Sequence, residues 1–152
     1  MSKSLENAVQ LEAHEILLLT PFQKATNAII WIKELLATKA KQGNSKLGNA
    51  KVGFCCLGVG CTILNIKDYS FVAGTDARFT ASVGLITHVG YPHYPDHKDP
   101  FLRSLTELND NEKYTFKQIA VHLCKHHLYY FHKDVSDQIG ILLKEENLIQ
   151  TS

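Results

Sequence analysis

Two tetrapeptides constrain the fold more than any other feature of this chain. Thr20-Pro21-Phe22-Gln23 and Thr115-Phe116-Lys117-Gln118 each place a hydroxyl at a helix N-cap and a glutamine three residues on. That arrangement satisfies two orphan backbone donors reciprocally, and proline is pre-organised for the first helical position. Each box also heads an apolar stripe at helical spacing. After the first, Phe22, Ala25, Ile29, Ile32, Leu36 and Ala40 share one side, while Trp31 lies off it and predicts a second contact surface or partial exposure. After the second, Phe116, Ile119, Ala120, Leu123, His127, Tyr130 and Phe131 share an apolar face. The stretch 134–149 supplies a last helix with Val135, Ile139, Leu142 and Leu143 inward.

Between these helices the pattern is less decisive. Residues 4–19 form a candidate helix, with a short buried strand at 16–19 as the rival reading. Residues 41–50 read as a polar loop, and the apolar block 51–66 suits either a buried strand or a tightly packed short helix. Residues 69–72 and 77–80 flank Gly74-Thr75-Asp76 and predict a β-hairpin. Residues 81–88 predict a short helix closed by Gly90. Three of the four prolines fall within 91–100, an irregular surface loop. Asp99 before Pro100 predicts a helix N-cap, with the helix running to Leu108 and broken by residues 109–112. The expected fold class is α+β: a helix-rich single domain over residues 1–152 with a small antiparallel sheet or hairpin, residues 1–20 being a peripheral segment.

Composition narrows the function classes. Sixteen basic against fifteen acidic side chains leave a net charge of +1, which provides no overall field toward nucleic acid or anionic membrane. The longest largely apolar run, 52–64, is too short for a membrane span of about 20 residues. The amino terminus is too polar for a secretory signal, so the four cysteines are expected as reduced thiols in a cytoplasm.

Several motifs occur in an order that resembles a known family. Trp31-Ile32-Lys33-Glu34-Leu35-Leu36 is followed by Gln42-Gly43 and then by Phe54-Cys55-Cys56-Leu57-Gly58-Val59. Further on come Leu105-Thr106-Glu107-Leu108-Asn109-Asp110 and Thr115-Phe116-Lys117-Gln118-Ile119-Ala120. Across residues 29–123 this order resembles small uncharacterised proteins of tailed bacteriophages and prophages, which carry a CCLGV block and a carboxy-terminal LND…F-x-x-I-A segment. The resemblance implies a host-cell cytoplasm and an accessory role, and it implies no mechanism. Gly60 departs from the larger apolar residues usual at that place, and residues 133–152 extend past the familiar ending.

The chemistry-bearing residues suggest several sites of unequal strength. Cys56 and Cys61 with His122 and His126 could formally supply four metal ligands, the histidines one helical turn apart. Adjacent Cys55 and Cys56 point apart, however, and the histidines flank the apolar face, so no metal or other cofactor is expected. Cys–His nucleophilic catalysis needs a partly exposed thiolate, and cysteines in an apolar block predict the opposite. His127, central on its stripe, is expected as a hydrogen-bonded core histidine. A winged-helix reading takes 105–108, 115–123 and 134–146 as its helices, with Leu148-Ile149 opening a wing. Its recognition helix would carry Asp134, Asp137, Glu145 and Glu146 against Lys133 and Lys144, a poor match to phosphates.

The proline-stiffened loop with Tyr91, His93, Tyr94, Asp96 and His97 has the character of a recognition surface. Asn109 and Asp110 mark the place for a site assembled from separate loops, although such residues at helix ends more commonly cap. The sequence therefore favours an accessory protein that binds a host or defence component, a protein or a small molecule, with no chemistry of its own. The alternatives are a winged-helix-like nucleic-acid-binding regulator and a small enzyme. Homo-oligomerisation is compatible with the favoured binding reading.

Overall fold

The computed structural model describes residues 19–39, 42–43, 48–49, 53–64, 66, 77–86, 104–110 and 113–148. Six helices follow in order among them. These are α1 (Pro21–Ala37), α2 (Cys56–Ile63), α3 (Ala77–Val83), α4 (Leu105–Asp110), α5 (Phe116–Tyr130) and α6 (Lys133–Glu145).

Both capping boxes form. Thr20 Oγ1 accepts from Gln23 N–H at 3.1 Å and Gln23 Oε1 accepts from Thr20 N–H at 2.8 Å; Thr115 and Gln118 repeat the pair at 3.1 and 2.8 Å. Helix α1 then runs through the middle of the molecule, packed against α2, α3, α5 and α6. Ala25, Asn27, Ala28, Ile29, Trp31, Ile32 and Leu35 are buried on it, so its apolar surface is much wider than one stripe. Trp31 is wholly buried, and Phe22, expected inward, is 54% exposed. The inward faces of α5 and α6 follow the sequence pattern, with Phe116, Ile119, Ala120, Leu123 and Tyr130 buried on α5 and Val135, Ile139, Leu142 and Leu143 on α6.

The expected α+β class is overturned: three quarters of the interpretable chain is helical and the fold is mainly helical. Among the described residues, strand pairing consists of two two-residue segments, β1 (Gly48–Asn49) and β2 (Gly53–Phe54), a bridge between Leu85 and Phe131 and a bridge position at Gln42. None makes a sheet layer. The expected hairpin fails at its second arm, because residues 77–80 open helix α3. A four-residue run cannot distinguish period 2 from period 3.6; burial of Phe79 and Val83, four apart, decides for the helix. That helix stops at Val83 and not at Gly90, since Gly84 takes φ +76, a region open to glycine. The apolar block resolves as helix α2, with Cys55 as its N-cap; the thiol accepts from Gly58 N–H at 3.4 Å.

Two further boundaries shift. Helix α4 is capped by Ser104, whose hydroxyl accepts from Glu107 N–H at 3.2 Å while Glu107 Oε1 accepts from Ser104 N–H at 3.1 Å. The helix therefore begins after Ser104 and not at Asp99, and it continues through Asn109 to Asp110. Helix α6 ends at Glu145, short of 149, because Asn147 adopts φ +55. Its N–H returns to Lys144 O at 3.2 Å, and Leu148 N–H returns to Leu143 O at 3.0 Å, a Schellman closure.

The segment after α3 straps the α5–α6 turn. Ile86 N–H donates to Tyr130 O at 3.0 Å, and His132 N–H donates to Gly84 O at 2.9 Å. Across the outer surface, Lys33 of α1 pairs with Glu146 just past α6. No helix among the described residues is long and apolar enough to cross a membrane.

Candidate functional site

Single residues from several of the sequence motifs meet in one largely buried knot. Asn109, almost completely enclosed, accepts at Oδ1 from Gln42 Nε2 at 2.8 Å and from Cys56 N–H at 3.2 Å. Its Nδ2 donates to Gly43 O at 2.8 Å. Gln42 Nε2 also donates to Tyr114 O at 2.7 Å. Trp31 Nε1 donates to Cys56 O at 2.9 Å, and the Cys56 thiol lies 3.8 Å from Leu105 O. Asn109 thus joins the 42–43 segment to the start of α2 from the end of α4. Such a group fixes backbone and has no open face toward a substrate. Asp110 closes α4. Tyr91, His93, Tyr94, Asp96 and His97 lie outside the described residues, as do residues 4–18.

The cysteine and histidine candidates do not converge. Cys55, Cys56 and Cys61 are buried and serve as cap and core. Burial pushes the Cys124 thiol up to about 11, away from the thiolate that nucleophilic chemistry needs. Among the described residues, no three His, Cys, Asp or Glu side chains gather in a way that could hold a metal ion. His127 makes the hydrogen bond expected of it, Nδ1 lying 2.6 Å from Ser136 Oγ, but it is half-buried at the edge and not in the core. Burial lowers its pKa, with Asp137 pulling the other way. Helix α6, the recognition helix of the winged-helix reading, lies against α1 and α5. Its outer face pairs Lys133 with Asp137 at 3.2 Å.

His122 and His126 belong to a different feature, an open groove of about 410 Å³ along the outer side of α5. Tyr114, Lys117, Gln118, Val121, His122, Lys125 and His126 line it. Residues four apart stack along a helix, so the lining sorts into two ridges: Lys117-Val121-Lys125, and Gln118-His122-His126 continued at its start by Tyr114. The second ridge is a row of rings. Tyr114 and His122 meet edge to face at 6.1 Å between centroids, and His122 and His126 are 4.7 Å apart. The backbone at His126 leaves helical geometry, with φ −123 and ψ 25, so the groove lies where α5 bends.

His122 is anchored from below. Its Nε2 is 2.7 Å from the hydroxyl of Tyr130, which is fully buried. Burial first, then the positive neighbours His126 and Lys125, lower its pKa to about 4. At neutral pH it is therefore an uncharged hydrogen-bonding ring on a wall that also carries Lys117 and Lys125. Among the described residues, no carboxylate lines the groove.

Of this site the sequence pattern marks only His122 and His126, as weak ligand candidates. Gln118 and Lys117 figure there only within the cap and the motif that contains it, and Tyr114, Val121 and Lys125 go unmarked. The available signal is Val121, an apolar residue between two lysines on the polar side of α5, half-exposed in the structure. Comparison of the chain with protein-family models, with curated proteins and with solved structures finds no match.

Proposed function

We propose that this chain is a small accessory protein of phage type that works by binding a host or defence component, and that the groove on α5 is its binding surface. The accessory role rests on the motif resemblance. The groove is the observation that carries the binding reading: an open, shallow surface of about 410 Å³ on the outer side of α5, mixed apolar and polar in its lining as small-molecule sites are. It combines an apolar residue with convergent polar groups, which is how such sites orient a ligand. A small molecule suits it better than a protein surface. The winged-helix alternative has nothing comparable in its favour, since α6 is packed into the core and its outer Lys133 is paired.

The test is capture from a small-molecule extract of bacterial cells, followed by gel filtration and native mass spectrometry. The wild type is expected to retain a discrete ligand mass. Val121→Trp fills the groove from an exposed position and is expected to lose that mass while melting normally. A wild type that retains no ligand mass, or a Val121→Trp variant that retains it in full, refutes the reading.

A further inference from the structure

The two ridges of the groove differ in chemistry, and the difference specifies a class of ligand. One ridge presents ammonium groups at Lys117 and Lys125 with the exposed Val121 between them. Eight residues of helix separate the two lysines, about 12 Å along the axis at 1.5 Å per residue. The neighbouring ridge of the same helix presents Tyr114, His122 and His126 as a continuous row of rings. Flat rings favour stacked or edge-to-face partners, and ammonium groups favour anions, with no acidic side chain among the described residues of the lining to compete. His122, fixed through Tyr130, adds a hydrogen-bonding edge. Gln118 holds its carbonyl on Thr115 N–H, which leaves its amide NH2 as a donor.

We infer that the α5 groove binds a small molecule made of a flat aromatic or heteroaromatic ring bearing an anionic group, the ring lying along Tyr114, His122 and His126 and the anion between Lys117 and Lys125. This rests on the binding role proposed above and names the substrate class of that site. A phosphate or a carboxylate satisfies the lysines equally, so the anionic chemistry is shared and the probes separate the two. Val121, exposed between the two lysines, offers apolar contact that a bare inorganic anion does not use. A ring-bearing anion therefore binds more tightly than its ring-free counterpart, and an uncharged ring binds least.

Isothermal titration of the full chain at low ionic strength tests this with five probes: adenosine 5′-diphosphate, adenosine, inorganic pyrophosphate, benzene-1,3,5-tricarboxylate and a random DNA duplex. One of the two ring-bearing anions is expected to bind saturably at one site and at least about tenfold more tightly than adenosine or pyrophosphate, the gain that stacking one ring supplies. Which one it is distinguishes phosphate from carboxylate. Lys117→Glu with Lys125→Glu is expected to abolish this binding. The charge-matched control, Lys39→Glu with Lys144→Glu, changes exposed residues away from the groove and is expected to leave the affinity within about twofold, a few tenths of a kcal/mol. Tyr114→Leu keeps the apolar packing and is expected to erase the advantage of the ring. Equal losses in the two double variants overturn the inference, as does tighter binding to the duplex than to either ring-bearing anion. Failure of both ring-bearing anions also overturns it; a discrete ligand captured from the cell extract in that case leaves the binding role standing.

Discussion

Replacing Asn109 by aspartate changes one NH2 group to an oxygen and nothing in shape, so it isolates the role of the buried knot. The Oδ1 side keeps its donors, Gln42 Nε2 at 2.8 Å and Cys56 N–H at 3.2 Å. On the other side a donor 2.8 Å from Gly43 O becomes a second acceptor facing a carbonyl. A buried group left unsatisfied costs about 1–3 kcal/mol, more when charged; adding the repulsion gives a loss of roughly 2–4 kcal/mol. For a chain of this length that lowers the melting temperature by roughly 5–15 °C. The cost also carries a pH signature. Burial beside a carbonyl raises the folded-state pKa of the introduced carboxyl above the unfolded value of about 3.9. The folded variant then holds a proton that the unfolded chain has lost, so its deficit relative to wild type grows as pH rises from about 4 through the folded pKa. Below that window the protonated acid donates to Gly43 O and the deficit shrinks. Thermal melts of both proteins by circular dichroism, from acid to neutral pH, read this directly. A melting temperature within about 2 °C of wild type at pH 7, less than about 1 kcal/mol at this size, refutes the structural role given to Asn109.

Two further perturbations probe the core and the pH response. Gly60→Ala should gain about 1 kcal/mol of helix propensity. Its Cβ, however, would overlap Cε1 and Cζ of Phe79, with Cδ1 at 3.1 Å, and overpacking costs about 1–3 kcal/mol. Urea titration should therefore show a net loss that Phe79→Leu in the same chain relieves, whereas a stabilised single variant would disprove the contact. His122 and His127 are both held below the ordinary histidine value by burial. A lowered folded-state pKa gives stability that is complete above the unfolded value of about 6.5 and is lost as pH falls toward about 4 for His122. His122→Asn should flatten that decline in a melt series, and an unchanged slope would show that His122 does not contribute to it.

The parts of the fold legible in sequence are those in which local chemistry and burial agree. The two T-x-x-Q boxes form because cap and stripe demand the same start. The His127 hydrogen bond and the inward residues of α6 follow because a single face is buried. Trp31 takes the first of its two readings, a second contact surface, because α1 is enclosed on several sides; Phe22 is the residue that departs from the stripe. Ser104 competes with Asp99-Pro100, a local signal of equal strength, and choosing between two adequate caps requires tertiary contacts. The arm at 77–80 misleads because alternation over four residues looks the same for strand and helix. Asn109 stands out in sequence for its chemistry, yet its meaning lies in partners more than fifty residues away. The groove is illegible for a related reason: a binding surface on the polar side of an amphipathic helix resembles an ordinary solvated face until Tyr114 and the bend at His126 shape it.

The enclosure of α1 also bears on how the chain is made. Its broadest partner is α6, which emerges from a ribosome about a hundred residues later. At roughly 5–20 residues per second, the nascent helix waits on the order of 5–20 s with the face that α6 covers still open. For that interval a broad apolar helix surface is open to whatever reaches it first, and chaperones bind such surfaces. Chains truncated before residue 133 should remain in that state permanently, making α6 the segment whose synthesis commits the molecule to its folded state.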